Sequence, residues 1–303
     1  MNIQKIKHII GLGLAALSGI AVLSASAQNA VPVFEAQILE QFDTFDARQA
    51  VAVDAEAFYA INNFRITRHD KRTGEAQLQW DGVSDETGPL THLDSGMVYN
   101  GRLYAAHSNY PHWPMSSSIE IWDSRSLEHV ASHSFGIQLG SMTWIDRHDG
   151  FWWGGFGNYD KVQDGQQQPY GETRFSQVVR MNDAFEIIEQ WMLPAALHPR
   201  LSPMSNSGGT WGSDAYLYLT GHDYPEIYVM RLPVSGGVLD WVATVHVPGL
   251  NGQGIAWDRS GEPDTLWAML KRDRRVFKIR MPEIRLADAK PVNVIRKPGN
   301  FSR

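Results

Sequence analysis

The sequence predicts an all-β fold, a single β-propeller with five blades, or six if the chain ends contain a further blade. Strand-like runs recur with turn residues between them, and the repeats begin at Val51, Ser95, Ser141, Ser207 and Gly254. These starting points are 44, 46, 66 and 47 residues apart. Such a period, with three or four short strands per unit, is typical of propeller blades, and it predicts little helix.

The repeats follow one another along nearly the whole chain and occupy residues 50–70, 95–123, 141–182, 207–232 and 254–280. Residues 36–42 precede the first repeat, and we expect them to supply the outer strand that closes the ring with the last repeat. The step of 66 residues contains an inserted loop at 160–173, which is polar, rich in glutamine and long enough to cover a site.

Residues 1–27 have the pattern of a secretory signal peptide. Lys5 and Lys7 form a basic start, residues 9–23 are apolar, and small residues follow at 25–27. We therefore expect cleavage after Ala27, a propeller domain at 28–303 and a periplasmic or secreted location. No later segment has enough consecutive apolar residues to cross a bilayer, so we expect a soluble mature protein without a membrane span.

The composition narrows the possible partners. The chain has no cysteine, which excludes disulfides, thiolate metal sites and a cysteine nucleophile. Removing Lys5 and Lys7 from the 27 basic residues leaves 25 against 33 acidic ones, a formal charge of −8. This balance argues against nucleic acid as a partner. The 11 Trp, 10 Tyr and 12 Phe favour strands and an aromatic-walled pocket for a small molecule or a glycan. We expect the protein to be a monomer.

A short polar motif occurs in two of the repeats. The sequence H-S-N-Y-P begins at His107, and H-D-Y-P begins at His222, each after a strand-like run that contains Leu-Tyr. In a propeller, equivalent loops of all blades surround one end of the central axis, so polar residues at these positions predict a shared axial site. Asn-Tyr-Pro and Asp-Tyr-Pro are also good turn sequences, so loop architecture is an alternative explanation of the motif.

The second repeat allows a prediction of which side chains converge. Asn100-Gly101 is a strong signal for a two-residue hairpin. Counting outward from this turn sets Asp94 opposite His107 and His92 opposite Asn109. Because side chains alternate along a strand, all four should lie on one side of the sheet.

The equivalent positions of the other repeats also hold polar residues. We expect a common axial pocket in which Asn109, Asn158, Asn206, Asp223, Gln253 and Arg272 bind substrate, with Tyr159 and His222 at the same mouth. For a single histidine such as His222, a structural role is the alternative. Similarly, residues 271–275 can be interpreted as a solvated edge.

The repeats resemble the NHL, YVTN and SMP-30-like family of secreted propellers, some of which carry a cycloisomerase label. A narrower resemblance is to propeller polysaccharide lyases of the ulvan-lyase type, which use two histidines on one blade followed by a tyrosine and an arginine on the next. Here His92 and His107, then Tyr159 and Arg174, stand in that order. Gln253-Gly254-Ile255 also looks like a fragment of the repeat of five-bladed glutamine cyclotransferases.

The first functional hypothesis is an enzyme that acts on a carbohydrate or a lactone-like small molecule. His107, oriented by Asp94, would transfer a proton, with His92 or Tyr159 as the second proton carrier. Arg174 or Arg272 would neutralise a substrate carboxylate, as elimination next to a uronic acid requires.

Two alternatives remain open from the sequence. In one, His92, His107 and His222 hold a divalent metal, Zn²⁺ or Ca²⁺, and a metal-activated water hydrolyses the substrate. In the other, the chain is a non-catalytic propeller of the cell envelope that binds a ligand or a protein. The residues for sugar stacking or an interface would then be Trp113, Trp152, Trp153 and Trp211.

Overall fold

The structure is a computed structural model that describes residues 31–82 and 90–286. The predicted signal peptide lies outside the described residues. Within them the strands form five sheets, four with four strands and one with five. The predicted five-bladed β-propeller is therefore confirmed. No helix of the described part is both long and apolar enough to span a membrane.

Each blade is an antiparallel sheet made from consecutive strands. Two strands precede the first blade, β1 (Val33–Glu35) and β2 (Gln37–Asp43). Blade 1 contains β3 (Ala50–Val53), β4 (Ala57–Asn62), β5 (Arg65–Asp70) and β6 (Ala76–Asp81). Blade 2 contains β7 (His92–Tyr99), β8 (Arg102–Ser108), β9 (Ser117–Asp123) and β10 (His129–Gly136).

The remaining blades follow the same plan. Blade 3 contains β11 (Ser141–His148), β12 (Phe151–Gly157), β13 (Gln177–Met181) and β14 (Ile187–Met192). Blade 4 contains β15 (Gly208–Trp211), β16 (Leu217–Thr220), β17 (Glu226–Arg231) and β18 (Asp240–His246). Blade 5 contains β19 (Ala256–Trp257), β20 (Thr265–Leu270) and β21 (Arg275–Arg280). The helical segments within residues 31–82 and 90–286 are short, two 3-10 turns at Thr173–Phe175 and Ala195–Leu197 and the helix α1 at His198–Leu201.

The N-terminal strands close the ring. Strand β2 pairs antiparallel with β21, from Gln37 opposite Arg280 to Asp43 opposite Arg275, so the predicted closure by residues 36–42 is confirmed. Strand β1 pairs parallel with β18 and becomes the fifth strand of blade 4, which the sequence did not predict. Both pairings cover a sheet edge that would otherwise expose unpaired backbone groups.

Aromatic side chains fill the space between blades, and glycines make room for them. Trp144 of β11 is fully buried against blade 4. A Cβ atom added at Gly209 or at Gly155 would collide with its indole. The Trp and Gly residues of these repeats are therefore complementary in shape, as close packing of protein interiors requires.

Polar contacts also join the blades at the end of the axis that carries the β7–β8 turn. The Asp146 carboxylate of blade 3 accepts hydrogen bonds from the Thr210 hydroxyl at 3.0 Å and from the Trp211 amide at 2.7 Å in blade 4. Arg259 of blade 5 donates to the same carboxylate at 2.7 Å. This end holds a cavity of about 310 Å³. Near the axis, a Cβ atom at Gly254 would collide with Ala50 and Ser95, so the innermost strands pack tightly there.

The closing strand gives a stability prediction. The ring of Phe42 on β2 stacks on Trp267 at 5.7 Å and lies 5.2 Å from Phe58 of blade 1. We expect Phe42→Ala to lower the free energy of unfolding by about 2 to 3 kcal/mol, less than for a fully buried Phe because this side chain is only partly buried. Urea unfolding followed by tryptophan fluorescence measures it. The matched control is Ile188→Ala, at an exposed position on β14. An equal loss of unfolding free energy in both variants would contradict a special role of the closing strand.

Candidate functional site

A cavity of about 210 Å³ lies at the mouth of the axis where the motif loops end. It is lined by Gln49, His92, Asp94, Tyr110, Thr143, Tyr159, Lys161, Met204, Ser207, His222 and Lys271. The structure thus brings together His92, Asp94, Tyr159 and His222 from three different blades, as the sequence predicted. Lys161 and Tyr110, which stands inside the H-S-N-Y-P motif, also line the cavity and were not predicted from the sequence.

His92 begins the innermost strand of blade 2, and its side chain faces the cavity. Its Nε2 lies 3.6 Å from the nearest Asp94 carboxylate oxygen, and its ring packs on Tyr110 with centroids 4.9 Å apart. Burial, followed by the positive charges that His107, Lys271 and His222 can carry, lowers the pKa of His92 to about 3. The imidazole is therefore neutral at physiological pH and able to accept a proton.

Asp94 lies beside His92 and has little access to solvent. Burial raises the pKa of the Asp94 carboxyl well above its usual range, and the ammonium group of Lys271 opposes this shift. The protonation state of Asp94 is therefore set by competition between burial and one lysine.

Tyr159 forms the wall contributed by blade 3. Its ring packs edge-on against Tyr110 with centroids 5.3 Å apart. Burial, followed by the nearby Asp94 carboxyl, raises the pKa of the Tyr159 phenol. The phenol therefore keeps its proton and can donate it to a developing negative charge.

Two lysines give the cavity its positive charge. Lys161 belongs to the inserted loop and lines the cavity. The neighbouring Asp160 carboxylate joins the two ends of this loop by accepting a hydrogen bond from the Thr173 amide at 2.9 Å. It also accepts a hydrogen bond from the Ser202 hydroxyl at 2.7 Å. Lys271 follows β20, and its pKa is lowered by burial while Asp94 raises it. Interpretation of residues 271–275 as a solvated edge was therefore wrong for Lys271, which lines the cavity.

His222 occupies the blade 4 side of the cavity. Its Nδ1 lies 3.2 Å from the Ser205 carbonyl oxygen, to which it donates a hydrogen bond. Burial lowers the pKa of His222 to about 4. This residue is thus a second neutral imidazole, with one nitrogen already bonded to the backbone.

The prediction that Asp94 lies opposite His107 was wrong. In the structure His92 pairs with Ser108 and Leu93 with His107, because the strand pair contains a bulge between Leu93 and Gly96. One extra residue in β7 shifts the register, and a shift of one residue reverses the side to which every later side chain points.

His107 is consequently held inside blade 2. Its Nδ1 is 2.9 Å from the Ser118 hydroxyl, and its Nε2 accepts a hydrogen bond from the Thr91 amide at 3.3 Å. Ser118 in turn donates to the buried Glu120 carboxylate at 2.6 Å. Burial lowers the pKa of His107 to about 4. The contacts of His107 are therefore those of a structural hydrogen-bond network, and it is not among the residues that line the cavity.

The three histidines do not form a metal site in this arrangement. Both ring nitrogens of His107 already have partners, and His222 uses one nitrogen for the Ser205 carbonyl. Across residues 31–82 and 90–286, no three His, Asp or Glu side chains are grouped as ligands for a metal ion. His92, His107 and His222, as the structure places them, therefore do not fit a shared divalent cation.

The two candidate arginines lie at the surface outside this cavity. Arg174 is exposed, and its Nε pairs with Glu172 at 2.8 Å. Arg272 is exposed as well, and it pairs with the adjacent Asp273 at 3.0 Å. The structure therefore places Lys161 and Lys271, rather than these arginines, in the lining of the cavity.

The remaining candidate substrate-binding residues lie outside the cavity lining. Asn109 and Asn158 bond to loop backbone, Asn109 to the Pro114 carbonyl at 2.9 Å and Asn158 to the Phe175 carbonyl at 3.2 Å. Asn206 and Gln253 are buried, and Asp223 is exposed beside His222. These five residues are not part of the cavity lining.

Comparisons with known proteins address the fold. No family model matches the chain, and no curated protein matches it. Among solved structures, it is similar to a PQQ-bound aldose sugar dehydrogenase from Streptomyces coelicolor, with 15% identity, 82% of each chain covered and a TM-score of 0.46.

Two further solved structures have comparable scores. A luciferin-regenerating enzyme has 11% identity over 78% of this chain and 92% of its own, with a TM-score of 0.45. The RRP9 WD40 repeats have 8% identity over 81% of this chain and 100% of their own, with a TM-score of 0.45. No family is assigned at this level of likeness, and the sheet order itself shows that the described chain is a five-bladed β-propeller.

Proposed function

We propose that this chain is a periplasmic or secreted enzyme that eliminates a leaving group next to the carboxylate of a sugar acid. The observation that carries the proposal is the composition of one axial cavity. It combines a neutral imidazole, a protonated phenol and two lysines, from His92, Tyr159, Lys161 and Lys271. Of the four residues that match the ulvan-type lyase pattern, His92 and Tyr159 line this cavity, whereas His107 and Arg174 do not.

Each group has a defined task in this reaction. Lys271 and Lys161 bind the carboxylate and stabilise the negative charge that develops on it when the neighbouring C–H bond breaks. His92 accepts that proton. The electron pair of the C–H bond forms a carbon–carbon double bond, the bond to the leaving oxygen breaks, and Tyr159 donates its proton to this oxygen. Transfer of the proton from the His92 imidazolium, through solvent, restores the phenol.

The same groups would suit lactone isomerisation, since it needs a base and an acid on either side of a carboxylated carbon. Elimination is preferred because the two lysines lie with the base and the acid in one cavity, where they can stabilise the charge of the deprotonated intermediate. A non-catalytic propeller that binds an acidic ligand is the alternative function, favoured by the same lysines if no bond is broken.

The first test removes the two proton carriers. We expect His92→Gln and Tyr159→Phe each to lower kcat about 100- to 10,000-fold, because each removes a group that transfers a proton in the transition state. The assay is the ultraviolet absorbance of the new double bond, in a panel of uronic acid glycans and sugar lactones.

Matched variants control for loss of folding. His107→Gln changes a histidine of the same blade outside the cavity, and Tyr99→Phe changes a tyrosine of the β7–β8 turn at the other end of the strand. Both should keep kcat within about threefold of the wild type. An equal loss of kcat in His107→Gln and His92→Gln would contradict the assignment of His92 as the base. Tight binding of acids without turnover, in the wild type and in every variant, would support the binding protein instead.

The second test concerns the lysines. We expect Lys271→Met to raise KM for a carboxylated substrate about 10- to 100-fold, as loss of a charged hydrogen bond predicts, and to leave KM for the methyl ester nearly unchanged. Lys278→Met is the control, since Lys278 pairs with Glu40 at 2.8 Å on the closing strand. The account fails if the acid and the ester lose affinity equally.

The third test is the pH dependence of kcat/KM, which reports groups of the free enzyme. Because the pKa of His92 is lowered to about 3, the base stays unprotonated and activity should persist below about pH 5, whereas an ordinary imidazole would lose it near 6.5. Lys271→Met removes a positive charge that lowers the pKa of His92, so its acid limb should move to higher pH. Circular dichroism at each pH checks folding, and an acid limb near 6.5 in the wild type would refute a buried neutral base.

A further inference from the structure

One loop connects the cavity with an exposed aromatic surface. Tyr110, in the loop at 109–116, lines the cavity and contacts the rings of His92 and Tyr159. Trp113 stands three residues further along the same loop, and it is 42% exposed. One short loop thus carries both an aromatic side chain of the cavity wall and an exposed tryptophan.

The loop that carries Trp113 is braced internally. The Asn109 side chain donates from Nδ2 to the Pro114 carbonyl at 2.9 Å, and its Oδ1 accepts from the Ser116 amide at 2.7 Å. Both ends of the amide are thus used to fix the loop on either side of Trp113. A side chain presented from such a loop loses little conformational freedom when a ligand binds.

The inserted loop fixes Trp113 from the other side. The ring of Tyr170 meets the Trp113 indole edge-on, with centroids 5.7 Å apart and planes at 73°. The Tyr170 hydroxyl lies 3.0 Å from the Ile137 carbonyl oxygen and 3.4 Å from that of Met115, so it is anchored to the loop before β11 and to the Trp113 loop. We call Trp113 and Tyr170 the aromatic rim.

The size of the cavity limits what it can hold. Its volume of about 210 Å³ is below the range of about 300 to 1,000 Å³ found for sites of drug-sized ligands, so one sugar ring is the natural occupant. Any further unit of a glycan must lie outside the mouth. The C–H groups on one face of a sugar ring pack on an aromatic face while its hydroxyl groups stay in water, which matches a partly exposed indole with a polar N–H.

We propose that the aromatic rim binds the sugar unit next to the one in the cavity, so that the substrate is an oligosaccharide or polysaccharide that contains uronic acid. This inference rests on the proposed function, because it takes the unit in the cavity to be a sugar acid. It adds a second subsite and selects polymeric over monomeric substrates. Tyr110 separates the two subsites.

The test is calorimetric titration with uronic acid oligomers of one to four residues, prepared from pectin, alginate and hyaluronan. Titrations use the Tyr159→Phe background, in which cleavage is expected to be too slow to disturb the binding measurement. We expect the best tetramer to bind about 10-fold more tightly than its monomer, and Trp113→Ala to remove most of this difference, as loss of one aromatic contact predicts. Monomer affinity should stay the same.

Two further variants separate stacking from loop structure. Trp113→Tyr keeps an aromatic face and should retain most of the tetramer affinity. Phe45→Ala removes another exposed aromatic side chain, in the segment between β2 and β3, and should have no effect. Equal losses for monomer and tetramer in Trp113→Ala would overturn the rim, because they would indicate a distorted cavity.

The outcomes also separate this inference from the proposed function. If the wild type cleaves an oligomer but monomer and tetramer bind equally well to the test background, the rim is refuted while the lyase chemistry stands. If no uronic acid binds or reacts at all, both are refuted. A length-dependent affinity that Trp113→Ala removes supports the rim even where the wild type shows no turnover.

Discussion

The architecture depends on closure of the ring by antiparallel pairing of β2 with β21. This pairing joins the N-terminal segment to the last blade, so that blade 5 is complete only when the two ends of the propeller meet. Closure fixes the five innermost strands around one axis. Only then do residues as distant in sequence as His92, Tyr159, His222 and Lys271 line the same cavity. The candidate site is therefore a product of tertiary closure rather than of any single motif.

The site itself is governed by burial. Taking imidazole, carboxyl and phenol groups out of water favours their uncharged forms, which lowers the pKa of His92 and raises the pKa values of Asp94 and Tyr159. Lys161 and Lys271 bring positive charge to the mouth, and burial lowers the pKa of Lys271 as well. A site of this kind attracts an anion and offers it an unprotonated base and a protonated acid, which is the combination that proton transfer next to a carboxylate needs.

Much of the fold could be predicted from the sequence because each blade repeats the same strand and turn pattern. The repeat period predicted five blades, and the strand-like segment at 36–42, which precedes the first repeat, predicted the closing strand. Strand β1 could not be found in this way, because its parallel pairing with β18 depends on where the chain runs after the ring has formed. The convergence of His92, Asp94 and Tyr159 followed from blade geometry. The position of His107 did not, because one bulged residue in β7 sets Leu93 rather than Asp94 opposite it, and both of its ring nitrogens bond within blade 2. Lys161 could not be placed either, because the inserted loop has no repeat from which its path can be inferred.

The central claim is that His92 is a neutral base in a cavity that receives an acid. The most direct measurement is an NMR titration of the histidine ring signals with and without a uronic acid oligomer, with His92 identified by the His92→Gln variant. The account predicts that the His92 signals do not titrate between about pH 5 and 8 in the free protein and that they shift when the acid binds, whereas those of His107 change little. A His92 signal that titrates near 6.5 and does not respond to the acid would contradict it.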